Sequence, residues 1–233
     1  MIYICTHKDF LTPEFVTKDN YTIITDGTKL HNKYPCKVIN AKNEYEPLKH
    51  CLSEGYQIYD IWRRNPNYEW IGINHYRRYF LPTDEKINII PRPLSFNVYN
   101  QYKACHNIED WVVMLRLLDK LHPEMHAEQL PDVFFPCNCC ILRHEIFDQW
   151  CSFLFEMVNA FNEFNQLKSD VDVHHFVEGK LKRGEYQERI HGFLLERLST
   201  VFWVHYFNEH PNDLKIRDLH MIEQYGNSLH SEV

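Results

Sequence analysis

A chain of 233 residues, 44% hydrophobic and 24% charged, has enough apolar content to bury a sizeable core and is not a disordered polymer. Its formal charge of −7 argues against wholesale binding to DNA, which needs a basic face, and leaves room only for a local cationic cleft. Its seven glycines form neither a GxGxxG nor a GxxxxGK, so a bound phosphate has to be held by side chains and non-glycine backbone.

The chain opens with strand-like runs at 2–5 and 21–25. Met1-Ile2-Tyr3-Ile4-Cys5-Thr6-His7-Lys8 is apolar for only a few residues before charge appears, so no signal peptide is expected. No apolar window approaches the roughly 18 residues of a membrane-spanning helix. These features point to a cytoplasmic chain whose eight cysteines are reduced. Apolar residues at three- and four-residue steps predict a helix over 45–64, ending in Arg63-Arg64. A strand over 69–74 follows.

The stretch 81–100 carries three prolines and little periodicity, and reads as a long flexible loop on the acceptor side of any site nearby. A helix is expected at 108–121 and a strand at 134–142. That strand contains Cys137-Asn138-Cys139-Cys140, but no CxxC or HxxxH partners it at metal spacing, so these cysteines read as small hydrophobes rather than zinc ligands. A helix at 144–164 precedes a polar excursion at 169–185, which holds the basic cluster Lys180-Leu181-Lys182-Arg183. A helix at 187–200 and a strand at 201–206 complete the series. Strands alternating with helices predict an α/β fold: a single Rossmann-type domain over 1–233 with a mostly parallel central sheet flanked by helices.

The richest segment is Tyr68-Glu69-Trp70-Ile71-Gly72-Ile73-Asn74-His75-Tyr76-Arg77-Arg78-Tyr79-Phe80. It delivers an imidazole and two guanidiniums to the C-terminal end of a strand, where open α/β sheets bind ligands. Each guanidinium offers a planar fork of donors that matches phosphate oxygens. If the strand continued, Arg77 and Arg78 would point to opposite faces, leaving one a solvated charge and His75 a core histidine. Both readings stand at this level.

Four blocks resemble a family of bacterial capsular and exopolysaccharide biosynthesis proteins, filed as a domain of unknown function and treated as candidate glycosyltransferases. They are Ile4-Cys5-Thr6-His7-Lys8, the segment His75-Tyr76-Arg77-Arg78-Tyr79-Phe80, Gln101-Tyr102 with His106 and Asp110, and Arg189-Ile190-His191-Gly192-Phe193-Leu194-Leu195-Glu196-Arg197-Leu198. The resemblance implies a GT-A-like fold and transfer of a hexose or pentose from a nucleotide-diphosphate sugar, UDP-linked by preference. Thr6, His7, Lys8, Asn43, Tyr45, Arg77, Arg78 and Arg189 would hold the donor. His106, Asn138 and Tyr102 would meet the acceptor.

Most GT-A enzymes carry an Asp-x-Asp motif that holds a divalent metal, whereas the comparable position here reads His75-Tyr76-Arg77. No cofactor and no metal are therefore expected, with fixed cations neutralising the leaving diphosphate instead. Asp110 and Glu196 are the candidates for the base that takes the acceptor proton, with His75 beside them. The resemblance suggests a surface glycan as acceptor. Hydroxymethylated DNA of a bacterial virus is the alternative, with Arg63-Arg64 and the 180–183 cluster framing a groove. A nucleotide-binding module without catalysis is a third reading. Nothing in the sequence fixes the oligomeric state.

Overall fold

β-Branched and aromatic runs build a nine-stranded sheet in the computed structural model, which describes residues 1–126, 132–180 and 184–221. Its strands are β1 (Ile2–Thr6), β2 (Tyr21–Thr25), β3 (Lys37–Asn40), β4 (Trp70–His75), β5 (Arg78–Tyr79), β6 (Asn88–Pro91), β7 (Cys140–Arg143), β8 (Leu214–Arg217) and β9 (His220–Met221). The main path runs β3-β2-β1-β4-β7-β6-β8, with β5 and β9 as a side arm. Pairings β3–β2, β2–β1, β1–β4 and β6–β8 are parallel, while β7 is antiparallel to both neighbours. β7 alone therefore runs against the other strands of the path, and the sheet is mostly parallel, as the alternating pattern predicts.

The helices are α1 (Lys49–Leu52), α2 (Glu54–Arg64), α3 (Val98–Cys105), α4 (Ile108–Leu121), α5 (His144–Asn165), α6 (Asp170–Val177) and α7 (Ile190–Glu209). The twofold alternation along the strands divides the core. Tyr3, Cys5, Ile24, Ile71, Ile73, Cys140 and Leu142 meet the helical layer, where α5 and α7 cross with Trp150 stacked on Trp203 at 5.7 Å. Ile4 and Ile23 face the other way, onto Phe10, Val16, Tyr76 and Tyr79. That second face is closed by loop residues and the β4–β5 hairpin, since the crossovers from β1 to β2 and from β2 to β3 contain no helix. Buried Phe10 and Val16 supply the apolar cover that a crossover helix normally gives.

Several expected boundaries shift for identifiable reasons. The helix expected over 45–64 breaks at Ser53, whose φ of 53° stops α1 and starts α2. The stretch 81–100 is not one irregular loop: Asn88, Ile89 and Ile90 are fully buried in β6, and Val98 opens α3 behind an Asn97 cap. Pro91 is tolerated because it ends its strand. Within 169–185, Ser169 accepts a hydrogen bond from the Asp172 amide and starts α6, so Asp170–Val177 is helix. Of 134–142 only the end is strand. The run 201–206 is not a strand at all but the second half of α7, a helix that buries 14 of its 20 residues and so lacks an amphipathic stripe.

Candidate active site

β1 and β4 lie side by side and parallel, with Cys5 opposite His75, so Thr6 and His75 end at the same edge of the sheet. β7 runs the other way with Cys140 opposite Ile73, so the loop entering it, Pro136 to Cys139, arrives at that edge too. The start of α2 is pinned there by the buried Gln57 amide, which donates to the Thr6 carbonyl (2.9 Å). The first turns of α7 close the far side. A cleft opens between these parts, and His75, Arg77, Arg78, Arg189, His106, Glu196, Arg197, Ser53 and Glu54 all line it.

The cationic side comes from a tight hairpin. His75 pairs with Arg78 across a two-residue turn of Tyr76 and Arg77, so the strand does not continue and both arginines reach the cleft. Buried Tyr76 is the hub: Lys Nζ of residue 8 and the Arg77 guanidinium each lie 5.3 Å from its ring centroid, and the His7 ring meets it edge-on at 5.2 Å. Thr6, His7 and Lys8 thus join the cluster from behind, with Thr6 buried and closing a turn through its hydroxyl and the Lys8 amide. Burial, and then Arg77, Arg78, His7 and Arg189, hold the His75 imidazole well below its ordinary range. His75 is therefore neutral, and because Nδ1 accepts from the Arg77 amide (3.2 Å) its proton sits on Nε2 as a donor.

Facing the cations are two carboxylates. Glu196 is fully engaged: Oε1 accepts from the Cys137 amide (2.9 Å) and Oε2 from the buried Arg197 (3.1 Å). Arg197 also reaches the Phe193 carbonyl, Gln101 and His106 Nε2. Among the described residues Glu54 takes one side-chain hydrogen bond, from the Asn138 amide on Oε1 at 3.3 Å, and its own backbone amide also favours the carboxylate. Burial, and secondarily the Glu196 charge, push its carboxyl above the usual range. Among the described residues outside glycine, six have positive φ; Asn65, His126 and Gln166 end helices, and the other three are Ser53, Cys137 and Asn138. Backbone strain is thus concentrated under the two carboxylates.

The expected site residues divide cleanly. His75, Arg77, Arg78, Arg189, His106 and Glu196 share the cleft. His106 touches it only through its ring, stacked on Phe193 at 4.0 Å, because Nδ1 donates to Gln187 and Nε2 accepts from Arg197. Asn138 stands behind Glu54 and does not line the cleft. Four further expected residues lie off this cleft. Tyr45 is buried against Tyr59 (4.7 Å) with its hydroxyl on Asn159, and Asn43 caps the Tyr45 amide (3.0 Å), so both are engaged in helix packing away from it. Tyr102 is fully buried under Arg197. Asp110 is buried in the first turn of α4, off the cleft. Sequence reasoning missed Glu54, Ser53, Phe96 and Tyr186, whereas Gln101, Phe193 and Arg197 stand in the family-like blocks without a donor or acceptor role. Gly55, interrupting a helical pattern, was the available signal: a Cβ there would meet Leu195 at 2.3 Å, which marks a close helix contact beside Glu54.

Arg63 and Arg64 frame no groove at the cleft. They close the opposite end of α2, where Arg64 pairs with Asp60 and Arg63 lies over Trp62. Of the 180–183 cluster only Lys180 lies among the described residues. No group of three or more His, Cys, Asp or Glu among the described residues could hold a metal ion, and no helix there is long and apolar enough to cross a membrane.

A family model for a domain of unknown function, DUF4422, matches residues 87–209. The chain belongs to this family. The matched span runs from β6 through α7 and so includes Glu196, Arg197, His106 and Asn138, while the hairpin arginines and Glu54 precede it. No curated protein matches the chain. Among solved structures it is similar to the apo structure of WbbM, a bifunctional glycosyltransferase, with a TM-score of 0.67 and 15% identity over 95% of this chain. The chain spans 45% of that protein. At this identity the likeness speaks for a glycosyltransferase-type fold.

The seam between α1 and α7 carries a testable packing constraint. A Cβ on Gly192 would lie 2.8 Å from Ser53 Oγ, closer than real contacts allow, and 3.0 Å from Ser53 Cβ, which is itself tight. Gly192→Ala is expected to cost about 1–3 kcal/mol of stability by overpacking, read as a lowered denaturation midpoint.

Proposed function

We propose that the chain is a glycosyltransferase that takes a sugar from a nucleotide-diphosphate donor, UDP-linked by preference. The observation that carries this reading is the convergence of Arg77, Arg78, Arg189 and the neutral His75 on one cleft of a glycosyltransferase-type fold, opposite two carboxylates. Fixed guanidiniums suit a diphosphate whose negative charge grows as it departs. His75 adds a hydrogen bond without adding a charge. The aromatic rim of Phe96, Tyr186 and Phe193 suits the apolar face of a sugar ring on the acceptor, and a glycan is the acceptor we favour.

This reading assigns no role to a divalent metal. Such an ion is usually held by one or two free carboxylates together with waters and substrate phosphates, whereas here both Glu196 oxygens are engaged and Glu54 lies beside Arg189. The arginines take the role that a metal plays in other enzymes of this fold. Calorimetric titration with UDP, GDP, CMP and dTDP in excess chelator tests the reading. One nucleotide is expected to bind, and diphosphate release from its sugar is expected to be unchanged by Mn²⁺. Strict dependence on Mn²⁺ overturns metal independence, and no binding of any nucleotide overturns the donor site.

A further inference from the structure

The two carboxylates of the cleft sit in environments that separate their tasks. Glu196 has both oxygens committed, one to a backbone amide and one to a buried guanidinium, so it is fixed in place. Among the described residues no side chain donates to Glu54 Oε2. Its Oε1 ends a polarised chain of hydrogen bonds from the core. The Trp150 indole donates to Ser199 Oγ (3.1 Å), Ser199 donates to Asn138 Oδ1 (2.7 Å), and Asn138 donates to Glu54 Oε1 (3.3 Å). Trp150, Ser199 and Asn138 are all buried, and Trp150 and Ser199 belong to the two central helices. The chain gives Glu54 a fixed direction, with one oxygen held and one left for chemistry.

We propose, resting on the glycosyl-transfer reading above, that Glu54 is the general base and that Asn138, Ser199 and Trp150 are its positioning residues. The acceptor oxygen bonds to the anomeric carbon while its proton passes to Glu54 Oε2. The bond from that carbon to the donor phosphate oxygen breaks, and its electron pair leaves on the diphosphate toward Arg77, Arg78 and Arg189. The Glu196 carboxylate beside Glu54 makes Glu54 a better proton acceptor, as two carboxylates in unlike settings divide acid–base work. The charged and titratable groups around Glu54 are Glu196 from α7, Arg189 from the turn before it, Cys5 from β1, and Cys137 and Cys139 from the loop before β7. His75, Arg77 and Arg78 line the same cleft from the hairpin, and Arg197 lies behind Glu196.

The test uses the full chain with UDP-glucose, GDP-mannose and dTDP-glucose as donors and methyl glycosides as acceptors. Glu54→Gln keeps the shape and the Asn138 bond, and is expected to lower kcat by about 10²–10⁴-fold with the Kd of the nucleoside diphosphate unchanged. Asn138→Ala removes a donor that favours ionised Glu54, so the acid limb of its kcat profile is expected to move to higher pH while donor KM stays the same. Ser199→Ala is expected to shift that limb in the same direction by less. Wild-type kcat in Glu54→Gln, or an Asn138→Ala profile that superimposes on wild type, overturns the proposal while leaving the donor site standing. Absence of nucleotide binding and turnover in the wild-type chain overturns the underlying reading, and this proposal with it.

Discussion

Replacing Arg77 and Arg78 together by alanine is expected to weaken nucleoside-diphosphate binding by about 10²–10⁴-fold. Each charge-assisted hydrogen bond lost costs about 1.5–3 kcal/mol, and 1.4 kcal/mol is roughly tenfold in affinity. The fold should survive, because the β4–β5 pairing is made by backbone groups and Tyr76 and Tyr79, the buried members of the hairpin, are untouched. Titration calorimetry of the double variant in chelator, beside an unchanged thermal midpoint, checks both parts. Affinity within a factor of three of wild type would place the phosphates elsewhere. Arg189→Ala is expected to do less to affinity, since its Nε is already committed to Ser53 Oγ (2.8 Å).

Asp110→Asn is expected to stabilise the protein above neutral pH and to leave turnover intact. Burial pushes the Asp110 carboxyl up to about 6, against an ordinary 3.8, with Lys180 offsetting only part of the cost. The folded state therefore holds this proton more tightly than the unfolded chain does. Below about pH 4 both states are protonated and the side chain carries no penalty; as pH rises through about 6 the folded state must bury a charge. The penalty is about 2–3 kcal/mol once ionisation is complete, at roughly 1.4 kcal/mol per unit. Asparagine cannot ionise, so the variant should melt on the order of 5 °C higher at pH 8 and match wild type near pH 4. Equal midpoints at pH 8 would contradict the burial argument, and lost turnover would return Asp110 to the mechanism.

How much was legible in the chain depended on where each residue's signal lay. β2 and α4 were readable to the residue, because Tyr21-Thr22-Ile23-Ile24-Thr25 is uniformly β-prone and 108–121 is amphipathic. β3 was not, because an edge strand with exposed Lys37, Val38 and Asn40 has no apolar run to announce it. β6 was hidden by Pro91 and Pro93, which read as loop although all four residues of the strand, Pro91 included, are buried. The second half of α7 read as strand because Val201-Phe202-Trp203-Val204 is apolar without a period, which a fully enclosed helix and a buried strand share. At the site, His75, Arg77 and Arg78 were legible because they are contiguous and chemically unusual. Glu54 was not: a glutamate opening a helix is ordinarily a solvated charge, and only the tertiary fold brings it to Glu196 and Asn138.

The seam at Ser53 and Gly192 also decides which wall of the cleft can yield. Glu54 follows Ser53 directly, Glu196 lies one turn beyond Gly192, and the Arg189 bond to Ser53 Oγ fastens the two helices at that point. With no room for even a methyl group between them, the spacing of the carboxylates is set by atomic contact, as the jaw of a fixed gauge is, and does not adjust to what enters. On the glycosyl-transfer reading proposed above, accommodation of acceptors of different width then falls to the part of the lining where Leu94 and Phe96 lie between β6 and α3, bridged through the backbone to Phe134. On the same reading, variation in that short segment is expected to change which acceptor fits, while variation at the seam strains the contact that spaces the carboxylates.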